Sequence, residues 1–336
     1  MLTLDVFSCN YWNDHLPGHC LEYRPIFTMG LTKDALPAHY GLNFTKTFHS
    51  KIPANIEPSS VTLPRPFVVF VTGVGKGLGY HISLAFACAG CSGIAISSRT
   101  ESDLNALDSA LKQAKVLKVV CGVQSSSSVS NLEYLVRSLW GRVDVVIANA
   151  GVVSAYIEPT TASPSNLPQG LRVMDINLNG VWRVSRAFIP LLSESRDGLQ
   201  TLISSGSMVA CSVSSQLTPV AYNVSKMAVM QLMECVAIDH GADGVQAFAL
   251  YPGAVMTPQT RNHAANEWSE ILDDDEGLAG AFCVWLSRKK RSWLSGRCVS
   301  CNWDVEELEM MKAKILEGDL LKYSSSSSSS SSSSID

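Results

Sequence analysis

The 336-residue chain predicts an α/β fold: one domain on a doubly wound parallel sheet, with an extension before it and a low-complexity tail after it. Short, continuously apolar runs recur at 67–72, 93–98, 116–121, 143–148, 199–205 and 244–251, as strands covered on both faces require. Helical patterns separate them near 78–90, 101–114, 127–140, 170–193 and 219–241. Strand–helix alternation of this kind closes into a parallel sheet through right-handed crossovers, and ligands then sit beyond the carboxyl ends of the strands.

The first strand is Phe67-Val-Val-Phe-Val-Thr72, rich in β-branched and aromatic residues. Before it, residues 1–66 hold many turn formers. Pro53, Pro58, Pro64 and Pro66 cannot run through a helix or a central strand. This segment is expected to lie over the domain or to be partly disordered, with Met29 as an alternative start. The domain itself is expected over 67–312. Residues 313–336 form a tail closed by the serine run Ser324 to Ser334, which cannot build a core and is expected to be disordered.

Composition excludes several function classes. A formal net charge of −4 argues against nucleic acid or an anionic membrane as partner. No apolar run reaches the length of about 20 residues that a bilayer span needs, and no signal peptide is evident. Ten scattered cysteines suit a reducing, cytoplasmic setting, so the sequons at Asn43 and Asn223 are expected to be unused. The pairs Cys88/Cys91 and Cys298/Cys301 lack nearby histidines and read as small core hydrophobes rather than a zinc site. The basic run Arg288-Lys-Lys-Arg291 reads as a solvated helix end, and Asp273-Asp-Asp-Glu276 as a solvated helix start.

Chemistry concentrates at the strand ends. Thr72 is followed by Gly73, Gly77 and Gly79 with spacing G-x-x-x-G-x-G, and Leu78 opens the helix behind them. Glycines there allow a tight turn and close backbone approach to a pyrophosphate, which the helix N-terminus attracts. The second strand ends at Ser98-Arg99, where a carboxylate would bind the ribose 2′-hydroxyl of NAD; Arg99, with Lys76 in the turn, suits the 2′-phosphate of NADPH instead. Further on, Tyr222-Asn-Val-Ser-Lys226 sets a phenol and an ammonium one turn apart on the same helical face. The ammonium would lower the phenol's pKa from about 10 towards the range of acid/base work on a ketone or alcohol.

Taken together these motifs resemble the short-chain dehydrogenase/reductase family, in its shorter single-domain, Rossmann-type subdivision. The matching residues are Thr72–Gly79, Asn149-Ala-Gly151, Asn177, Ser204-Ser205, Tyr222–Lys226 and Pro252-Gly-Ala-Val-Met-Thr257, spanning about 67 to 305. Asn43-Phe-Thr-Lys-Thr-Phe48 and Cys301-Asn-Trp-Asp-Val-Glu-Glu-Leu308 look similar to filamentous-fungal members. The resemblance implies Tyr222 as acid/base, Lys226 as its electrostatic partner and ribose ligand, and Ser205 as the group that orients the carbonyl. Asn177 would hold a water that links Lys226 to solvent. Cofactor contacts would come from Gly73, Lys76, Gly77, Leu78, Gly79, Arg99, Val123, Asn149, Gly151, Tyr222, Lys226, Pro252, Val255 and Thr257. Gln259 to about Gly280, with Trp268, would form a substrate lid.

The chain departs from the family in two places. Cys121-Gly122-Val123 stands where an adenine-contacting aspartate is usual, and the distance from Ser205 to Tyr222 is long, which keeps Ser207 as an alternative. The expected activity is an NADPH-dependent carbonyl reductase or alcohol dehydrogenase acting on a small organic molecule such as a fungal secondary metabolite, in a homodimer or homotetramer. A catalytically silent nucleotide-binding member and an NAD-dependent enzyme are the rivals.

Overall fold

The computed structural model describes Lys33 and residues 40–112, 114–153, 167–212, 218–261 and 271–323. Seven strands form one parallel sheet in the order β3-β2-β1-β4-β5-β6-β7. They are β1 (Val68–Thr72), β2 (Gly93–Ser98), β3 (Lys115–Val120), β4 (Val145–Ala148), β5 (Thr201–Ser205), β6 (Gln246–Tyr251) and β7 (Arg297–Ser300). The order reverses between β1 and β4, so a crevice opens above their carboxyl ends.

Helices cover both faces. On one side α1 (Leu78–Cys88), α2 (Glu101–Ala110) and α8 (Leu278–Ser287) bury Ile82, Phe86, Leu104, Phe282 and Trp285 against Val69, Val71, Ile94 and Phe248. On the other, α3 (Ser126–Trp140), α5 (Gly180–Glu194) and α6 (Val220–His240) bury Val129, Val136, Phe188 and Met233 against Phe70, Val146 and Leu202. Phe70 stacks on Phe188 with ring centroids 4.5 Å apart. Each such buried side chain contributes roughly 1.5–3 kcal/mol. Gly280 lets α8 close on α1, since a Cβ there would lie 2.8 Å from the Ala85 Cβ.

The six expected strands all form, in the doubly wound arrangement expected. Four features differ from the sequence reading. The third strand, at an edge, is not covered on both faces: Lys115 and Lys118 are exposed, which guards the edge against pairing. The helix expected over 170–193 is two helices, α4 (Leu167–Met174) and α5, joined by a π-turn at Asp175–Asn179. The seventh strand and α8 carried no periodic signal.

The fourth difference lies in the two charge runs. Lys289 and Lys290 are exposed, but Arg291 is 1% exposed. It stacks on Trp285 with its guanidinium carbon 3.7 Å from the ring centroid and pairs with Glu309 at 2.9 Å. Its long stem makes it the lid of the Trp285 pocket rather than a solvated cap. In the acidic run, Asp274 is buried. It accepts from Ala254 N at 2.6 Å and Asn302 Nδ2 at 2.9 Å, and pairs with Lys33 at 2.5 Å. Surrounding donors replace water there, so a carboxylate can be buried.

Residues 40–66 pack on the domain. Tyr40, Ile56 and Leu63 are buried, His49 N donates to Asn302 O at 2.8 Å, and the Trp303 indole donates to Gly41 O at 2.9 Å. Of the cysteine pairs, Cys91 and Cys301 are buried, whereas Cys88 is exposed and Cys298 half-buried, so the core reading fails for Cys88. Asn223 is buried, and Asn43 is exposed. No described helix is long and apolar enough to cross a membrane. Met29, Trp268 and the serine run lie outside the described residues.

Candidate active site

The candidate catalytic and cofactor residues, all but Gly79 and Asn177, line one cavity of about 570 Å³ above the crevice between β1 and β4. The glycine turn forms its floor. Gly73 (φ +69°) lies so close to the next loop that a Cβ would sit 2.7 Å from the Ala150 Cα. Gly77 (φ +61°) faces Thr257 across the cleft, where a Cβ would come within 3.0 Å of the Thr257 Cγ2. Gly79 is packed beneath, 2.5 Å from Gly73 O in the same sense, and so serves the turn rather than the cavity. Gly77 caps α1 without a side-chain bond, which leaves first-turn N–H groups available at the cavity. A cradle this tight to side chains, ending on a bare helix N-terminus, fits a dinucleotide pyrophosphate.

Asn149 braces the turn. Its Nδ2 donates to Thr72 O at 3.0 Å and Gly73 O at 3.3 Å, while Thr72 Oγ1 accepts from Asn149 N and Ala150 N, each at 3.0 Å. At the far end of the cavity stand Lys76 and Arg99, both exposed and, among the described residues, without a charged partner. Asp103, on the first turn of α2, joins them: a Cβ on Gly75 would meet its carboxylate at 2.6 Å. Asp103 was missed from the sequence because it lies past the strand end where an acidic residue was sought. Cys121 and Val123 are both buried and complete this end as apolar walls.

The Tyr222 end is set by α6 and the end of β5. Lys226 is 5% exposed; its ammonium donates to Ser205 O at 2.6 Å and lies 5.6 Å from the Tyr222 ring centroid. The Ser205 hydroxyl turns to Asn149 Oδ1, donating at 3.1 Å. Ser207, rather than Ser205, is the serine whose side chain tempers the Tyr222 phenol, pulling its raised pKa back down. Ser207 also caps the short turn Met208–Cys211, accepting from Val209 N at 3.4 Å. Both serines line the cavity, but only Ser207 is brought to the phenol.

Asn177 sits in the π-turn, fully buried behind Lys226. Its Oδ1 accepts from Val152 N at 2.8 Å, and its Nδ2 donates to Val152 O at 2.9 Å and Ser225 Oγ at 3.1 Å. Its side chain is therefore fully used in fixing the loop after β4 beside α6. The π-turn, a common feature at functional sites, is what frees this segment from ordinary helical bonding.

Burial dominates the electrostatics. It holds the Lys226 ammonium down at about 8. It also raises the Tyr222 phenol, with the Ser207 hydrogen bond pulling back down. The lowered phenol expected from Lys226 is thus not found in the chain alone, because desolvation outweighs the Ser207 contribution that opposes it. Neighbouring loops close over this end. The Gln259 amide, on the short helix α7 (Pro258–Arg261) and oriented to satisfy both its atoms, donates to Gly151 O at 3.2 Å and accepts from Val153 N at 3.1 Å. Within the expected lid, 262–270 lie outside the described residues.

The arrangement provides a nucleotide cradle, a phenol with a serine on it, and a buried ammonium, all facing one cavity. Over residues 67–268 the chain matches the short chain dehydrogenase family. It is 32% identical over 298 residues to the short chain dehydrogenase pgmD of Aspergillus terreus, covering 85% of this chain and 95% of the relative. It is 35% identical over 287 residues to the short chain dehydrogenase pigC of Monascus ruber, covering 83% and 92%. A short-chain type dehydrogenase/reductase from Mycobacterium marinum superposes with a TM-score of 0.64 at 21% identity, covering 71% of this chain and 94% of that one.

Proposed function

Since the chain belongs to the short-chain dehydrogenase family, and is thereby an oxidoreductase of nicotinamide dinucleotides, we propose that it moves a hydride between NADPH and a carbonyl or secondary alcohol of a small organic molecule. The observation that carries this is Lys226: a buried ammonium with, among the described residues, no carboxylate partner, set beside a phenol in the wall of the cavity. Uncompensated buried charge costs stability, and such groups cluster where chemistry is done.

The dinucleotide, when bound, supplies the hydride. The protein's residues do the rest. Ser207 and Tyr222 present two hydroxyl groups to the carbonyl oxygen, orienting it and stabilising charge that develops on it. Tyr222 gives its proton to the forming alkoxide, and takes it back in the oxidation direction. Lys226 favours the phenolate left behind and, with a pKa of about 8, exchanges protons near neutrality. Asn177 keeps the Val152 loop and α6 in register around that ammonium. Gly73, Gly77, Leu78, Asn149, Gly151, Val123, Pro252, Val255 and Thr257 hold the dinucleotide. Gly79 supports the turn from below. Leu171 and Trp182, 60% and 52% exposed on α4 and α5, support a homodimer or homotetramer formed through these helices.

Arg99 and Lys76 support NADPH. A second reading, use of NAD, has its own observation: the Asp103 carboxylate beside Gly75 would accept from a ribose hydroxyl and repel a phosphate. Initial rates with NADPH and NADH across a panel of ketones and aldehydes decide between them. We expect NADPH preference in the native chain, and a rise of roughly 10- to 100-fold in the KM for NADPH in Arg99→Ala with little change for NADH. Preference for NADH, lost in Asp103→Ala, would establish the second reading.

A further inference from the structure

Next to Tyr222 the cavity carries a second phenol that the proposed proton transfer does not use. Tyr251 is the last residue of β6 and lines the cavity. Its ring packs with Tyr40, Met208 and Val209 in a small cluster against which Tyr222 and Leu42 lie. Tyr251 is 7% exposed, yet its hydroxyl has no hydrogen-bond partner among the described residues and is not sealed from open space. Buried hydroxyls are nearly always paired. One left open against a cavity wall points to a partner that arrives with a ligand.

The other polar groups at this end are already engaged. The Thr218 hydroxyl donates to Asn223 Oδ1, the Ser207 hydroxyl accepts from Val209 N, and Lys226 donates to Ser205 O. Charge is unevenly spread along the cavity. Among the described lining residues Lys76, Arg99 and Asp103 stand at the glycine-turn end, whereas beside the two phenols Lys226 is the one charged group and Met208 and Val209 supply apolar wall. Burial and the Asp274 charge raise the Tyr251 phenol well above its ordinary value, so it stays a neutral donor.

We infer, resting on the site reading proposed above, that Tyr251 is a specificity-determining residue that hydrogen-bonds a second oxygen of an uncharged, largely apolar ketone. The substrate class is thus a neutral hydroxyketone or diketone rather than a carboxylate or phosphate ester. Its carbonyl meets Tyr222 and Ser207 while the remote oxygen meets Tyr251.

The test uses the full chain loaded with NADP⁺, titrated calorimetrically with acetophenone and its ortho, meta and para hydroxy isomers, in native form and as Tyr251→Phe. One hydroxy isomer is expected to bind about tenfold tighter than acetophenone, an advantage that shrinks below about twofold in Tyr251→Phe. Equal binding of all isomers, an advantage that survives the substitution, or no binding of any isomer overturns the inference. Consumption of NADPH is read separately. If discrimination holds and no ketone is reduced, the hydride-transfer reading fails and the Tyr251 contact stands.

Discussion

Ser205 and Ser207 stand two positions apart and face different partners because β5 ends between them. Gly206 N donates to Leu250 O at 2.7 Å, closing the strand pairing, and a Cβ on Gly206 would lie 3.2 Å from that same oxygen. Past this point the chain turns into the Met208–Cys211 helix and carries Ser207 to the phenol. Ser207→Ala is therefore expected to lower kcat/KM for ketone reduction by about 10²–10³-fold. Ser205→Ala, which removes one hydrogen bond to Asn149, should cost less than about tenfold. Steady-state kinetics of both variants check this, and the reverse ranking would restore Ser205 to the role.

Lys226 makes a separate prediction about pH. Its folded pKa of about 8 is depressed from the ordinary 10.5. Below about 8 the folded chain bears a poorly compensated charge. From there up to the unfolded value the unfolded chain binds more protons, so stability rises with pH across that window. Lys226→Met removes the charge. Urea unfolding at about pH 7 should show it more stable by roughly 1–3 kcal/mol, with the gain shrinking towards about pH 10. Lower stability of Lys226→Met at neutral pH would show that the ammonium is compensated.

Among the elements, those that carry the site were legible and those that buttress it were not. β1, its glycine turn and α1 announce themselves by a buried apolar run followed by glycines, and α6 by the spacing of Tyr222 and Lys226. By contrast α8 is buried on every side, Leu278 to Ser287, and so lacks the polar stripe that marks a helix. β7 is four residues, Arg297-Cys-Val-Ser300, too short and mixed for a period to show. Arg291 lies in the segment between these two elements. Its guanidinium donates to Trp285 O and Leu286 O as well as pairing with Glu309. Read from sequence it is one of four basic residues in a row. Only the fold reveals that it is the buried one. Arg291→Met is expected to destabilise the chain by about 2–4 kcal/mol in thermal or urea unfolding, whereas Lys289→Met should change it by less than about 0.5 kcal/mol. Equal, small effects would mean that the Arg291 cluster is incidental packing.

At the scale of the whole molecule, the doubly wound sheet determines what can meet. Its reversal between β1 and β4 brings the glycine turn, Asn149, Ser207, Tyr222 and Thr257 from five separate stretches of sequence to one cavity. That convergence follows from strand–helix alternation and was foreseeable. The detail was not, since the choice of serine, the π-turn that fixes Asn177 and the presence of Asp103 and Tyr251 all depend on where the chain bends after leaving a strand. Residues 40–66 and Lys33 add a further layer, reaching the loops beyond β6 through Tyr40 and the Lys33–Asp274 pair. The cavity that results gathers Lys76, Arg99 and Asp103 at one end and, at the other, carries Lys226 as its one charged described lining residue beside the two phenols.

The most direct test is the comparison of native chain and Tyr222→Phe in NADPH-dependent reduction of a ketone that the native chain turns over, with NADPH affinity measured in parallel. The account predicts a fall in kcat of about 10²–10⁴-fold while the dissociation constant for NADPH stays within about threefold. Turnover by Tyr222→Phe within about tenfold of native would contradict it, because the proton would then have to come from elsewhere.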